Sequence, residues 1–201
     1  MNQVNINNYQ EKTVGSGAVL SASPSDFVLK LVSSLKPRTE DILVKRFGLD
    51  GDRKRTLEEI GRGHSITRER VRQIESAAIK DLRKSDKIKT LQPCESLLES
   101  IIDEHGRVME HNNLVDTFSS RIAPAESNEN AVEFILNLSD RFNRFDELDH
   151  LRRSWAIKGG SLEIPQKVIS VLENILQKKA KPISEQEAIK AILNHQVASE
   201  H

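Results

Sequence analysis

Two neighbouring stretches decide the fold of this chain: residues 56–61, TLEEIG, and residues 65–75, SITRERVRQIE. In the first stretch, Thr56 and Glu59 have the spacing of a capping box, in which each side chain pairs with the other residue's backbone N–H and starts a helix. Gly61 is a poor helix former and predicts that this helix ends early. The first stretch therefore predicts a short capped helix before a tight turn.

The second stretch predicts a longer helix with two unlike faces. Thr67 is suited to cap this helix, and the negative charge of Glu69 in the first turn suits the helix dipole. At about 100° per residue, the apolar residues fall on one side and a polar stripe falls roughly opposite. The apolar side holds Val71, Ile74, Ala78 and Leu82, and the polar stripe holds Arg68, Glu69, Arg72, Gln73 and Ser76.

The chemistry of the polar stripe is that of a DNA-reading surface. Guanidinium groups suit guanine or phosphate, an amide suits adenine, and a carboxylate accepts a hydrogen bond from the amine of cytosine. We therefore expect residues 67–82 to enter the major groove of double-stranded DNA, as the second helix of a helix–turn–helix does. The alternative is an ordinary surface helix with a mixed-charge face. The five residues of the stripe are the candidates for base contact, and the candidates for phosphate contact, or for ion pairs that hold the helices, are Arg62, Arg70, Lys80 and Arg83.

The same part of the chain resembles a known family. Residues 35–49, LKPRTEDILVKRFGL, and then residues 56–83 are similar to region 4 of the primary sigma factors of bacterial RNA polymerase. The string TRERVRQIE at residues 67–75 is close to the most distinctive one of that family. The resemblance covers about residues 26–85, and it implies that helices within residues 25–47 dock on the flap of the polymerase β subunit. It also implies that the residues reading an upstream promoter element are Arg68, Glu69, Arg72 and Gln73.

Two features depart from that family. His64, preceded by Gly63, stands where the family usually has a bulky apolar residue, so we expect a weakened core and a looser turn there. In addition, no aromatic, basic helix of the kind that melts DNA precedes the match. We therefore expect that this chain does not act as a complete sigma factor on its own.

Charge separates the chain into a basic and an acidic part. The 201 residues carry 30 Lys and Arg and 30 Asp and Glu, so the net charge is zero. Residues 36–89 hold 16 basic and 10 acidic residues, a net charge of +6, which leaves −6 for the rest. DNA phosphates attract the first part and repel the second. The single cysteine and the lack of a secretory leader or an 18-residue apolar run predict a cytoplasmic protein without disulfides or membrane spans.

The second half has the pattern of a winged helix. Three predicted helices, at residues 96–105, 112–121 and 127–140, precede two short strands at residues 141–146 and 153–157, which is the order of that fold. This half resembles the winged-helix modules of bacterial transcription proteins.

The fold class is therefore mostly all-α: a sigma-region-4-like helix–turn–helix, a winged-helix-like domain with a small β-hairpin, and a C-terminal helical pair. The predicted parts are a disordered tail over residues 1–24, the helix–turn–helix domain over 25–87, a basic linker with a helix-ending proline over 85–93, the winged-helix-like domain over 94–160, and a helical extension or truncated second winged helix over 164–201.

The presumed recognition helix of the second half, residues 127–140, is a poor fit to DNA. It carries three carboxylates and no basic residue, so a phosphate-lined groove repels it. We favour a protein contact for this acidic half, to polymerase or to a second copy of the chain, and a packed scaffold is the equal alternative. A backbone contact through four arginines at the proposed wing stays open; these are Arg141, Arg144, Arg152 and Arg153.

The sequence predicts no enzyme, no cofactor and no metal site. The histidines and Cys94 nowhere reach zinc-ligand spacing, and no nucleophile elbow or phosphate-binding glycine loop occurs. The leading hypothesis is a sequence-specific, sigma-factor-like DNA-binding transcription protein. The alternative is a polymerase-binding protein, or sigma mimic, in which DNA reading is secondary.

Overall fold

The computed structural model describes residues 23–122, 129–147 and 151–194 of the chain. Their contacts divide them into two units. The first unit takes in the described residues up to Leu97 together with Val115–Leu138, and the second takes in Leu98–Leu114 and the described residues from Ser139 onward. Residues 1–22 of the predicted tail lie outside the described part. The domain boundaries at residues 25–87, 94–160 and 164–201 stay a prediction.

The first two helices of the first unit both begin at a proline. Helix α1, Pro24–Val32, follows a capping box between Ser23 and Asp26, and α2 spans Pro37–Phe47. Proline fits the start of a helix because its missing N–H has no intrahelical partner to lose there. Helix α2 ends at Gly48, whose φ of 64° lies in the left-handed region that glycine adopts without strain. Proline and glycine at these two positions are the residue types that favour a helix start and a helix end.

The helix–turn–helix follows as α3, Leu57–His64, and α4, Arg68–Lys84. A 3-10 helix, Asp86–Leu91, then leads directly into α5, Gln92–Glu104. The helix-ending role predicted for Pro93 is therefore wrong, and the linker over residues 85–93 stays a prediction. Pro93 lies in the first turn of α5, where a proline starts a helix instead of ending one.

The remaining elements follow the order of a winged helix. After α5 come β1, Val108–Glu110; α6, His111–Ser120; α7, Glu129–Leu138; β2, Phe142–Phe145; and β3, Ser154–Ile157. The two predicted strands are present and pair in antiparallel fashion, with Phe142 opposite Ile157. The three-residue β1 is too short to show an alternating pattern in the sequence, and it was not predicted. It pairs with the other edge of β3, so the sheet order is β1-β3-β2.

Helix α7 belongs to the first unit and is a packing helix. It lies against α1 and α2, and most of its residues are buried. The helix that occupies the recognition position of a winged helix therefore offers little free surface to a groove. The buried residues of α7 are Ala131, Val132, Phe134, Ile135, Leu136 and Leu138.

The sheet of the second unit is built around Trp155. Its indole Nε1 donates a hydrogen bond of 3.0 Å to Nδ1 of His111, the first residue of α6, and both side chains are buried. Because a buried indole N–H needs an acceptor, this bond fixes the ring between strand and helix. Next to the sheet, Arg141 pairs with Glu99 at 2.8 Å.

The C-terminal helical pair is present as predicted: α8 spans Glu163–Lys179 and α9 spans Glu185–Asn194. Helix α9 starts at a capping pair, in which Ser184 and Glu187 each accept a hydrogen bond from the other residue's backbone N–H. No described helix is long and apolar enough to cross a lipid bilayer. Within the described part of the chain, the exposed large apolar side chains are Leu176, Ile189 and Leu193.

Candidate nucleic-acid interface

The apolar side of α4 is anchored in a small core between α2, α3 and α4. Ile42, Ile60 and Val71, one from each helix, form a buried cluster. Leu57, Ile66 and Ile74 pack around it, and Ala78 and Leu82 are buried further along α4. All four residues predicted for the apolar side therefore face the protein, and Ile74 is the least buried of them. This anchoring fixes which side of α4 faces outward.

The turn between α3 and α4 is tight because Gly61 has no side chain. A Cβ at this position would lie 2.7 Å from the carbonyl oxygen of Ile66, closer than real Cβ atoms approach. The backbone N–H of Ile66 donates to the carbonyl oxygen of Gly61 at 3.0 Å and closes the turn. Ser65, between them, adopts a left-handed φ of 54°. The sequence indicated only that Gly61 weakens the helix, whereas the structure shows that the turn needs a glycine here.

Side-chain caps set the first residue of each helix, as predicted. Thr56 Oγ1 accepts from the backbone N–H of Glu59 at 3.2 Å, and a carboxylate oxygen of Glu59 accepts from the N–H of Thr56 at 2.8 Å. Arg53 also binds this carboxylate at 2.6 Å. The Arg53 guanidinium, together with the Thr56 hydrogen bonds, lowers the pKa of Glu59 from 4.5 to about 2. At the second helix, Thr67 Oγ1 accepts from the N–H of Arg70 at 3.1 Å.

The polar stripe of α4 is exposed along its whole length, and its side chains form a network. Arg72 binds Glu69 through two hydrogen bonds, from Nε at 2.9 Å and from a terminal nitrogen at 2.7 Å. Gln73 donates to Glu69 at 3.3 Å and accepts from Arg70 at 3.2 Å. Arg68 and Ser76 are exposed as well. Guanidinium, carboxylate and amide groups thus stand side by side in one outward-facing row.

The pairing of Glu69 and Arg72 keeps both groups ionised. The hydrogen bond from Arg72 lowers the pKa of the Glu69 carboxyl, and the same bond raises the pKa of the Arg72 guanidinium. Both side chains are 58% exposed, so water and salt screen the pair and either group can exchange it for a ligand. The pair therefore keeps Arg72 on the exposed side of α4 and leaves its guanidinium free to exchange Glu69 for a ligand.

The four candidates for phosphate contact have different surroundings. Arg62 lies 3.8 Å from Glu58 on the same helix, and Arg70 is engaged with Gln73. Lys80 is exposed and forms no hydrogen bond or ion pair with another described residue. Arg83 donates to the backbone carbonyl oxygens of two residues at the end of α7, Asn137 at 2.7 Å and Leu138 at 3.1 Å. Two roles were predicted for these four residues: contact with phosphate, or interactions that hold the helices together. The contacts of Arg83 are those of the second role.

His64 is packed against α2. Its side chain is 17% exposed, and Nε2 lies 2.8 Å from Oδ2 of Asp41, although the ring N–H is not well directed for a hydrogen bond. Lys45 also binds Asp41, at 2.6 Å. Burial raises the pKa of the Asp41 carboxyl, but the contacts with Lys45 and His64 outweigh it and leave the pKa lowered. A polar contact between α2 and α3 thus stands where the family resemblance implies an apolar one, and the weakened core stays a prediction.

Sequence reasoning missed one tie that holds α4 in place. Arg46 of α2 pairs with Glu75 of α4 at 3.3 Å and also donates to the carbonyl oxygen of Arg55 at 3.3 Å. The signal was available, because Glu75 lies one turn beyond Val71 and so flanks the buried side of α4. Glu75 is therefore not part of the outward-facing stripe.

Comparison with known proteins identifies the family of these helices. Residues 31–84 match the family described as Sigma-70, region 4. RNA polymerase sigma factor SigA of Clostridium acetobutylicum is 49% identical over 65 residues, which are 32% of this chain and 17% of that protein. RNA polymerase principal sigma factor HrdD of Streptomyces coelicolor is 45% identical over 67 residues, 33% of this chain and 20% of that protein. RNA polymerase sigma factor SigA of Nostoc sp. is 54% identical over 54 residues, 27% of this chain and 14% of that protein.

The helix–turn–helix part of this chain therefore matches sigma-70 region 4, as the sequence resemblance indicated. The match begins in α1, includes α2 and α3, and ends with the last residue of α4. The chain spans no more than 20% of the length of these curated relatives. The likeness concerns this one module and leaves residues 85–201 outside it.

Proposed function

We propose that this protein is a sequence-specific, double-stranded-DNA-binding transcription protein of the bacterial cytoplasm, and that α4 enters the major groove of promoter-type DNA. The observation that carries the proposal is the amphipathic character of α4, with one buried apolar side and one exposed polar side. Its apolar side is buried in the core of the part that matches sigma-70 region 4, and its opposite side exposes a row of guanidinium, carboxylate and amide groups. A helix held in this way presents its polar side chains in a fixed register to a groove.

Each residue of the stripe has a role that its chemistry supports. Arg68 and Arg72 suit guanine, Gln73 suits adenine, and Glu69 suits the amine of cytosine. In the free protein Glu69 already binds Arg72 through two hydrogen bonds, so less side-chain freedom is lost when Arg72 binds a base. Ser76, one turn further along, completes the stripe.

Backbone phosphates are the second target of this surface. Lys80, Arg62 and Arg70 lie at its borders and supply the positive charge that attracts DNA independently of sequence. Arg83 is already bound to the end of α7, and we propose that it positions α4 without touching phosphate.

RNA polymerase is the protein partner that we propose. The matched relatives are RNA polymerase sigma factors by name, and residues 25–47, which correspond to α1 and α2, carry the docking role that the resemblance implies for the β flap. A further protein contact or self-association through the acidic second half is supported by the exposed apolar side chains of α8 and α9, because such side chains often mark interfaces.

Selection of bound sequences from a random duplex pool by the full chain tests the proposal. We expect one defined site to be enriched. Enrichment of an upstream promoter-like element supports the sigma-like role, and an inverted repeat instead points to a dimeric regulator. If no sequence is enriched, and binding depends only on salt, the base-reading role of the stripe is wrong.

A further inference from the structure

Helix α7 occupies a helix-binding seat that this chain forms from its own α1 and α2. Phe134 of α7 is 1% exposed and meets Phe47, the last residue of α2, edge to face, with the ring centroids 5.0 Å apart. Val28 and Leu31 of α1 are fully buried in the same unit. An amphipathic helix laid across two others in this manner is a common mode of helix recognition.

Polar contacts fix α7 at its middle and at its N-terminal end. Glu133 Oε2 lies 2.6 Å from Lys54 Nζ, and the glutamate side chain is only 18% exposed. Near the start of α7, Asn130 Nδ2 donates to the carbonyl oxygen of Gly48 at 3.2 Å. Both contacts join α7 to the segment between α2 and α3, so the position and the direction of the helix are set.

The C-terminal end of α7 is bound by the DNA-reading helix itself. The last carbonyl groups of a helix lack intrahelical partners, and a cation suits that end of the dipole. Arg83 of α4 supplies both, through its hydrogen bonds to the carbonyl oxygens of Asn137 and Leu138. The same helix α7 therefore touches α1, α2 and α4, which together make up most of the region 4 module.

We infer that α7 is an intrachain cover for the α1–α2 surface: while α7 is seated, an external helix cannot dock there, and docking requires α7 to leave. This inference rests on the docking role proposed for residues 25–47. The polar stripe of α4 is exposed while α7 is packed in place, so DNA binding does not require α7 to move. The chain thus separates its two proposed activities, with DNA binding constitutive and polymerase docking gated.

Variants of the full chain test this cover, with the isolated flap domain of a bacterial polymerase β subunit as a labelled probe. Glu133→Lys replaces the ion pair with Lys54 by a repulsion, and we expect flap binding to strengthen roughly threefold or more. The double variant Lys54→Glu/Glu133→Lys restores the pair and should return to the parent value. Glu129→Lys, on the exposed first turn of α7, makes the same charge change and should leave flap binding unaltered.

Two further measurements keep the outcome decisive. Phe134→Ala loosens the apolar seat and should strengthen flap binding by about tenfold or more, and hydrogen exchange of the α7 amides should quicken when the flap binds. The inference is overturned if the parent binds the flap as tightly as these variants, or if no form binds it. A gel shift with DNA in parallel separates this inference from the proposed function. If the folded parent protein does not bind DNA, the proposed function is refuted, but that result does not test whether α7 covers the α1–α2 surface.

Discussion

A single methyl group at Gly61 tests whether the tight turn before α4 holds the polar stripe of α4 in place. The added Cβ of Gly61→Ala would lie 2.7 Å from the carbonyl oxygen of Ile66, whereas ordinary contact begins at 3.4 Å. The turn must therefore open by roughly 0.7 Å, the difference of those two distances. The atom in the way is backbone, so no flexible side-chain end can absorb the shift.

The magnitude follows from two opposing effects. Alanine is favoured over glycine inside a helix by about 1 kcal/mol. Overpacking a tightly packed site costs about 1–3 kcal/mol, so we expect Gly61→Ala to lower the free energy of unfolding by about 1 kcal/mol and to weaken DNA binding. Gly63→Ala is the matched control. It lies two residues further in the same helix, no atom lies within 4 Å of its Cβ, and it should raise the free energy of unfolding by up to about 1 kcal/mol.

Urea unfolding of the full chain, followed by circular dichroism, measures both variants against the parent. The account requires opposite signs for the two substitutions, with a separation of about 2 kcal/mol. If Gly61→Ala is as stabilising as Gly63→Ala, the turn tolerates a side chain and does not fix α4 as described.

Three further predictions concern other parts of the molecule. The pKa of Glu59 falls from 4.5 to about 2 on folding, so the ionised carboxylate stabilises the folded protein above pH 4.5, and this stabilisation is lost as the pH drops toward 2. In Glu59→Gln the free energy of unfolding should therefore depend less on pH between these two values. An unchanged acid-unfolding curve would show that the capping box is not formed. His111→Phe removes the acceptor for the buried indole N–H of Trp155 and should lower the free energy of unfolding by about 1–3 kcal/mol. Trp155 is the single tryptophan, so its fluorescence follows that unfolding directly, and a variant as stable as the parent would contradict the role of the bond. Lys80→Ala should weaken binding to every DNA sequence alike and reduce the slope of log affinity against log salt by about 0.9, and an unaltered slope would remove Lys80 from the phosphate contacts.

Local interactions were the part of the structure that the sequence predicted well. The caps at Thr56 and Thr67 depend on residues three positions away, and the glycine end of α2 depends on one residue. The burial of Val71 and its apolar neighbours follows from helical periodicity alone. Such features are visible because their partners stand within one or two turns in the sequence.

Long-range contacts were not predictable from the sequence. Arg83 was a candidate for phosphate contact, and its partners on α7 lie 54 and 55 residues further along the chain. The helix α7 itself looked like the exposed helix of a second domain, yet it packs in the first unit. Its run of large apolar residues permitted either reading, since periodicity shows that a face is buried but not what covers it. The 3-10 helix before Pro93 was missed for a different reason, because proline marks a helix start as readily as a helix end.

In the candidate site, too, some features were predictable from the sequence and others were not. Its members were predicted because their side chains share one stripe, but the pairing of Arg72 with Glu69 was not, since several neighbours on that stripe are within reach. The structure adds that Arg72 is exposed and bound to Glu69 before DNA is present. This pairing makes Arg72 the residue for which we state the most definite expectation of a base contact.

Binding of Arg72→Ala to the selected DNA site and to random duplex DNA, measured side by side, tests the central claim most directly. We expect a loss of roughly ten- to hundredfold on the selected site and little loss on random DNA, because a base contact carries specificity. Lys167→Ala, which removes an exposed cation of α8 outside every candidate for DNA contact, is the control and should bind the selected site like the parent. Equal losses on both DNAs would show that Arg72 holds only the phosphate backbone, and no loss on either would contradict DNA reading by α4.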